Sequence, residues 1–400
     1  MAKKVVIGLS GGVDSSVAAY ILKKQGYDVI ALFMINYHDH TGTITGQCTW
    51  EDDSLIAKMV AKKLDIPFHI VDLSEDYKKR VVDYMFREYE KGNTPNPDVL
   101  CNREIKFDSF LKECDKYNAD YVATGHYCRV ENIKNEDDSE TFKLLAGTDS
   151  NKDQSYFLCQ LNQYQLSKSM FPIGEMIKPE VRRIATELNL PTATRKDSQG
   201  ICFVGKVDLP VFLQQKLKSI KGNVIEITSS FIEKKKHIDK IPENFRKLCF
   251  AYPLKPWNGK VIGEHQGAQF YTIGQRKGLN IGGHERPLFI LETDVKRNII
   301  YVGEGENHPG LYRPGLFIAQ ENVHWIRPDL KMYIGETRDY LVRIRYRQPL
   351  ESAKLYQKEE GIYILFDREQ RGVTPGQFAA WYDKDEVIGS GTIEANPPVI

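Results

Sequence analysis

The feature that most constrains this 400-residue chain lies at its start, where an apolar run over residues 5–9 passes into Ser10-Gly11-Gly12-Val13-Asp14-Ser15-Ser16 and then into apolar residues at helical spacing. A strand that hands over to a helix across two glycines makes a tight turn whose backbone amides converge at the helix N-terminus. Those amides and the positive helix end attract phosphate oxygens, and glycine removes the Cβ atoms that would hold an anion away. No Gly-Lys-Ser/Thr ending follows, which separates this turn from loops that cleave a γ-phosphate. The plain alternative is a capped helix start with no ligand, since Ser and Asp are ordinary N-cap residues. The order of strand, glycines, hydroxyls and helix argues for the anion site.

Further apolar runs over residues 28–34, 68–73 and 120–124 are short and rich in Val, Ile and Phe, as buried parallel strands are. Between them Val17, Ile21 and Leu22 share one helical face, and Leu55, Ile56, Met59, Val60 and Leu64 share another. This alternation predicts a doubly wound parallel α/β sheet with its ligands at the carboxyl ends of the strands. After about residue 205 the texture changes to short strands with Gly-rich punctuation: 289–292, 299–302, 341–347, 362–366 and 378–382. The expected division is an α/β domain over 1–204, a small β-rich domain over 205–283 and a β-barrel over 284–400. Residues 226–258, with Lys234-Lys235-Lys236 and several prolines, read as a long surface insertion.

Composition excludes some classes. Apolar residues make up 41% and charged residues 27%, a globular balance, and Lys plus Arg number 55 against 54 for Asp plus Glu. A polyanionic partner must therefore be held by local basic patches. The apolar start is too short for a signal-peptide core, so the reading is a cytoplasmic protein with no membrane partner. Seven scattered cysteines (48, 101, 114, 128, 159, 202, 249) form no Cys-x-x-Cys pair, which argues against a zinc site or a disulfide framework.

The opening motif resembles that of the pyrophosphate-loop ATPases, an adenine nucleotide alpha hydrolase-like fold that holds the β,γ-pyrophosphate of ATP while the α-phosphorus is attacked. A sharper resemblance is carried by Asn93-Thr-Pro-Asn-Pro-Asp-Val-Leu-Cys-Asn-Arg-Glu-Ile-Lys-Phe107, Ala123-Thr-Gly-His-Tyr127, Ser150-Asn-Lys-Asp-Gln-Ser-Tyr-Phe157, Lys196-Asp-Ser-Gln-Gly-Ile-Cys-Phe203, Gly263-Glu-His-Gln-Gly267, Arg345-Tyr-Arg-Gln348 and Val373-Thr-Pro-Gly-Gln377. Together these strings resemble the tRNA-specific 2-thiouridylase (MnmA/TrmU) family over nearly the whole chain. The segment 226–258 departs from that pattern in length.

The resemblance implies a tRNA-uridine 2-sulfurtransferase acting on the wobble uridine of the tRNAs for Lys, Glu and Gln. ATP adenylates O2 of the base and releases pyrophosphate, and sulfur from a cysteine persulfide then displaces AMP. It places the persulfide on Cys202, the attacking thiol on Cys101, and a redox disulfide between the two after turnover. An external persulfide donor, such as a cysteine desulfurase or a sulfur-relay protein, is a further partner. By the same carry-over, Gly8, Leu9, Ser10, Gly11, Gly12, Val13, Asp14, Ser15, Met34 and Gly125 bind ATP. Asp14 helps to position Mg2+, which no protein side chain ligates as a dedicated metal site. Asn96, Pro97 and Asp98 hold the target base, and His126, Lys152, Asp153, Gln154, Arg345, Tyr346 and Gln377 approach the RNA.

Residue chemistry fits these roles. A thiol of ordinary pKa is about 3% thiolate at neutral pH, so Arg103 and Lys106 near Cys101, and Arg195 and Lys196 before Cys202, are candidate activators. Cys48, Cys114, Cys128, Cys159 and Cys249 read as structural thiols. Two prolines around Asn96 are expected to hold Asp98 on an extended, rigid segment, where its carboxylate can take the N3 proton of a uracil. Strict alternation would put Arg343, Arg345 and Arg347 on one strand face and Tyr346 on the other, unless a bulge or strand end intervenes. An amide-forming ligase is the main rival; it would need an ammonia source, and no N-terminal Cys glutaminase is present. Nucleotide binding without catalysis, and sulfur transfer to position 4 of uridine, are the others.

Overall fold

Strand β1 (Lys4–Gly8) lies between β2 (Asp28–Ile35) and β4 (Tyr121–Ala123); β3 (Phe68–Asp72) and the short β7 (Ser169–Met170) complete a five-stranded parallel sheet in the order β3-β2-β1-β4-β7. The computed structural model describes residues 2–38, 49–197, 209–235 and 244–395, so the expectations attached to Cys48 and Cys202 lie outside it. Val5, Val6 and Ile7 are wholly buried because both sheet faces are covered. One face carries helices α1 (Val13–Lys24) and α2 (Thr49–Leu64) with the helix Lys178–Glu187; the other carries the helical run that contains Val99, Leu100 and Cys101. The expected doubly wound sheet is present.

The apolar stripe expected on α2 differs. Leu55 and Met59 are 59% and 50% exposed, whereas Ala57, Val60 and Ala61 are buried. Small residues let the helix approach the sheet closely; Val60 is buried and Leu64 packs on the same core as expected, while Leu55 and Met59 lie on the outer side.

A hairpin between β4 and β7, made of β5 (Cys128–Lys134) and β6 (Glu140–Ala146), packs Cys128 and Leu144 on the core of the first unit but takes no part in the parallel sheet. It pairs with the last strand of the C-terminal sheet, Val387 opposite Leu144 and Glu386 opposite Leu145. That sheet contains β12 (Tyr312–Ala319), β13 (Val323–Trp325), β14 (Thr337–Arg343), β15 (Glu351–Lys358), β16 (Gly361–Arg371), β17 (Phe378–Asp383) and β18 (Glu386–Thr392). It curls into a barrel around Trp381, Val342, Leu355 and Ile364, and the Glu394 amide donates to the Phe317 carbonyl at 3.0 Å across the closing seam.

The central sheet runs β10-β11-β8-β9, from β8 (Gly222–Glu226), β9 (Lys260–His265), β10 (Leu288–Asp294) and β11 (Ile299–Glu304). The division expected at residue 283 thus falls inside one sheet. β11 pairs with β8, and Ile290, Ile300 and Val302 bury themselves against Val224 and Ala268. The segment 226–258 is also more than a surface insertion. Its helix Phe245–Cys249 packs Phe245, Leu248 and Cys249 on Phe317, Tyr363 and Leu365 of the barrel, with the Phe245 ring 4.5 Å from that of Tyr356. Phe245→Ala is expected to destabilise the barrel by about 3 kcal/mol, seen as a lowered denaturation midpoint; an unchanged midpoint would mean that the helix adds nothing to the barrel.

Candidate active site at the strand ends

Backbone packing shapes the loop after β1. The Leu9 amide still donates to the Leu32 carbonyl at 2.9 Å, and Leu9 and Val13 anchor the turn in the core. Gly11 has φ +74°, and a Cβ there would lie 2.6 Å from the Asp53 carbonyl oxygen. Gly12 is the N-cap of α1 and offers no side chain to the first amides of the helix. The Ser15 and Ser16 hydroxyls donate to the Gly12 carbonyl at 3.2 and 2.8 Å, and the Ser10 and Ser15 hydroxyls lie 3.2 Å apart. Gly125, at the exit of β4, sits so close that a Cβ would fall 2.6 Å from the Ser15 nitrogen. Met34 reaches over β1, its Cε 3.2 Å from the position of a Gly8 Cβ. The residues expected to hold a nucleotide therefore converge at the carboxyl end of the sheet, where doubly wound folds bind ligands.

Charge concentrates on one side of this loop. The Lys178 ammonium donates to both oxygens of Asp14 at 2.7 and 2.8 Å, and the Tyr127 hydroxyl donates to Oδ1 at 2.8 Å. Lys178 also pairs with Asp197 at 2.9 Å, which Lys152 and Arg182 approach at 2.6 and 2.8 Å. Burial raises the pKa of Asp197, but the hydrogen bonds from Lys152 and Lys178 and the charges of those two lysines outweigh it, and the carboxyl is held well below its usual range. Arg195 donates to the Gly11 carbonyl at 2.8 Å and pairs with Asp53 at 2.8 Å.

Lys178 was not singled out from sequence, although a signal exists. It opens the helix Lys178–Glu187, where the helix dipole disfavours a cation, so another interaction has to hold it there. Among the described residues no cluster of three or more metal-ligating side chains occurs. Asp14 as one carboxylate beside a phosphate loop still fits a magnesium ion, which takes one or two carboxylates and fills its shell with water and phosphate oxygens.

The target-base residues lie across the sheet on a helical run. Asn96 is its N-cap, Pro97 its first residue, and Asp98 and Cys101 follow one turn apart on one side. Asp98 is therefore helical and not extended, because Pro97 starts a helix there. The Asn96 carboxamide accepts from the Val99 amide at 3.2 Å and donates to Gln377 Oε1 at 3.3 Å, so both its ends are engaged within the protein. Gln377 donates to the carbonyls of Thr94 and Pro95 at 2.8 and 3.2 Å.

Cys101 is fully buried. Of the cations expected near it, Arg103 donates to Glu104 at 2.7 Å and Gln160 at 2.8 Å, and Lys106 lies 3.4 Å from His126 Nε2. Burial pushes the thiols of Cys114, Cys128, Cys159 and Cys249 upward, which keeps them protonated and fits their structural reading. No disulfide joins described residues.

Several expected RNA contacts are interior. His126 is buried near Phe107 and Phe171, hydrogen-bonded to Thr124 at 2.7 Å, and burial together with the Lys106 charge holds its pKa well below the usual value. Asp153 is buried, pairs with Arg343 at 2.9 Å, and accepts the amides of Gly147 and Ser155. Gln154 accepts from the Tyr127 amide at 3.0 Å. Lys152 is in the Asp197 cluster.

The three arginines do not share a strand face. β14 ends at Arg343, which is drawn inward to Asp153, and the chain turns through Arg347 with φ +62°. Arg345 then reaches the Gly372 carbonyl at 3.1 Å, and Tyr346 packs on Phe157 with ring centroids 4.4 Å apart. The turn opens on a groove of about 480 Å³ where Arg345, Arg347, Arg368 and Arg371 outnumber Glu351 and Glu369. Phe157 accepts from Asn102, one residue after Cys101, so the arginine turn adjoins the Asp98–Cys101 helix.

Asp197 supplies a pH test. Its folded pKa is depressed, so its stabilisation is present above the unfolded value near 4 and is lost as pH falls toward the folded value. Asp197→Asn is expected to melt below the wild type at pH 7, with the gap shrinking from pH 5 toward pH 3 in calorimetry. A gap that stays constant would contradict the ion cluster.

Comparison with known proteins follows the same division. Residues 3–206 match the family described as tRNA methyl transferase HUP domain, residues 253–304 the tRNA methyl transferase PRC-barrel domain, and residues 317–393 the aminomethyltransferase beta-barrel domain. The tRNA-specific 2-thiouridylase MnmA of Christiangramia forsetii is 59% identical over 98% of this chain and 100% of its own length. That of Chlamydia trachomatis serovar D is 42% identical over 98% of each. Among solved structures, NMN synthetase from Francisella tularensis aligns over 55% of this chain and 79% of its own at 18% identity and a TM-score of 0.31. With full-length relatives at this identity, and with the loop, the Asp98–Cys101 helix and the barrel assembled around one set of strand ends, the chain belongs to the tRNA-specific 2-thiouridylase MnmA family.

Proposed function

We propose that this chain is an ATP-dependent tRNA-uridine 2-sulfurtransferase that makes 2-thiouridine at the wobble position of the tRNAs for Lys, Glu and Gln. The observation that carries this reading is the pairing of a phosphate-type loop with Asp98 and Cys101 on successive turns of one helix, joined through Lys106, His126 and Gly125 to the first turn of α1. A small-molecule ligase would have no use for that thiol or for the arginine groove beside it.

In this reading the loop amides, Ser10 and Ser15 hold the β,γ-phosphates of ATP, and Lys178 with Arg195 offsets their charge. Asp14 would help to position magnesium, which would offset charge on the phosphates. Asp98 takes the N3 proton as O2 attacks the α-phosphorus; the P–O bond to pyrophosphate breaks and an O2-adenylated uridine results. Sulfur from a Cys202 persulfide, loaded by an external donor, then replaces AMP at C2. Cys101 attacks Cys202 Sγ, the S–S bond to the sulfur on C2 breaks with the electron pair going to the thiouridine sulfur, and the Cys101–Cys202 disulfide that results is reopened by two electrons from an external dithiol or two thiols. The arginine groove takes tRNA phosphates.

Unmodified tRNA for Lys, Glu or Gln, incubated with the chain, ATP, magnesium and a persulfide donor, should gain 2-thiouridine by nucleoside mass spectrometry. Cys101→Ser and Cys202→Ser should abolish it, and undiminished thiolation by either would overturn the assignment. Asp98→Asn should bind tRNA normally and turn over at least 100-fold more slowly, the usual range for a lost acid–base group. Lys178→Gln should weaken ATP binding about tenfold or more while tRNA binding persists; equal ATP affinity in a titration would remove Lys178 from the site.

A further inference from the structure

Asn36 is only 2% exposed, and among the described residues neither its carboxamide oxygen nor its nitrogen has a hydrogen-bond partner. Burying an amide this way is unfavourable, because the group loses its water and gains nothing in return. Nor is the residue free to turn outward. On one side the Ile35 carbonyl accepts from the Leu73 amide at 2.7 Å. On the other, Tyr37 packs against Tyr77 and Phe212, each with centroids 6.4 Å away, and His38 bonds Asp72 at 2.9 Å.

The position of Asn36 suggests what would satisfy it. β1 and β2 stay in register only as far as Gly8 opposite Leu32, where β1 gives way to the glycine loop. β2 continues for three more residues, Phe33, Met34 and Ile35, paired with β3 alone, and Asn36 follows directly. The end of β2 thus forms a wall beside the loop. The side of the loop toward the exit of β4 carries Lys178, with Lys152 in the same ion cluster, and suits phosphate charge. On the β2 side Met34, whose Cε lies over Gly8, and Asn36 alternate onto one face of the sheet and Ile35 onto the other, so the Met34 face offers apolar surface with one orphaned donor and one orphaned acceptor. An uncharged planar heterocycle with an adjacent donor and acceptor complements such a wall.

We infer that the Asn36 carboxamide reads the adenine base of the bound nucleotide: Oδ1 accepts from the exocyclic amine, and Nδ2 donates to the ring nitrogen beside it. Asparagine makes this two-point contact with adenine in nucleic-acid recognition, whereas the O6/N7 edge of guanine presents two acceptors. Asn36 is then a specificity residue for ATP. The inference rests on the reading of the loop as an ATP site.

The test is titration calorimetry of the full chain and of Asn36→Leu, a replacement of similar size without polar atoms, with ATP, inorganic pyrophosphate and purine riboside triphosphate, which is ATP without the exocyclic amine. Wild type should bind ATP about tenfold more tightly than the amine-free analogue, and Asn36→Leu should bind both equally weakly, with pyrophosphate affinity unchanged. Without nucleotide, Asn36→Leu should melt no lower than wild type, since an orphaned amide has been removed. Asn36→Ala serves as the second variant should leucine prevent folding. Wild-type ATP affinity in the variant, as a buried water on the carboxamide would give, overturns the inference. So does an equal loss with the amine-free analogue in both proteins, or a loss of tRNA affinity with ATP binding intact. Failure of the wild type itself to bind ATP would instead overturn the reading of the loop.

Discussion

Backbone pressed against backbone at Gly125 and Ser15, and again at Gly11 and Asp53, fixes the first turn of α1 between the exit of β4 and the side of α2. A Cβ at either glycine would stand 2.6 Å from a main-chain atom, a separation that no side-chain adjustment relieves. The loop amides keep their convergence because neighbouring strands and helices leave the turn one shape, and Lys178 and Arg195 then find Asp14 and the Gly11 carbonyl within reach. A preorganised ring of donors costs no rearrangement when charge arrives.

The three units are joined at the place where the chemistry is expected. The Thr94 amide donates to the Pro375 carbonyl, Gln377 caps the Thr94–Pro95 carbonyls, and the Thr94 and Thr272 hydroxyls lie 3.2 Å apart, so the α/β unit, the barrel and the central unit meet just before Asn96. The β5–β6 hairpin adds a second tie by extending the barrel sheet through β18. Ladder bonds and buried side chains across these junctions make the helix of Asp98 and Cys101 part of a shared core, with Phe378, Ala380 and Tyr382 of the barrel in the same apolar cluster as Cys101.

Much of this was legible in the residues. The run over 5–9 followed by two glycines and hydroxyls specified a strand, a tight turn and a helix, because each step depends on local sterics and on side chains a few positions apart. The parallel strands were legible for the same reason: burial on both faces demands unbroken apolar runs. Periodicity was right only in part on α2, where Val60 and Leu64 face the core but Leu55 and Met59 do not and Ala57 and Ala61 complete the packed stripe. It failed at Arg343, whose place in an alternating strand is overridden by an ion pair with Asp153, 190 positions away. The second proline of Thr-Pro-Asn-Pro-Asp marks a helix start and not an extended segment, a choice set by the Asn96 cap and by the core beneath Val99 and Leu100.

By itself, then, the amino-acid order determined the glycine turn between strand and helix, the alternation of strand and helix and the β-rich second half. Tertiary structure alone decided that Lys178 answers Asp14, that β10 and β11 belong to the central sheet, that a hairpin of the first unit completes the barrel sheet, and that Asn36 is buried without a hydrogen-bond partner among the described residues. The physical reason is range. Turns, caps and strand faces arise from sterics and hydrogen bonds within a few residues, whereas ion pairs, ladder partners and burial depend on which distant segments the closed core brings into contact.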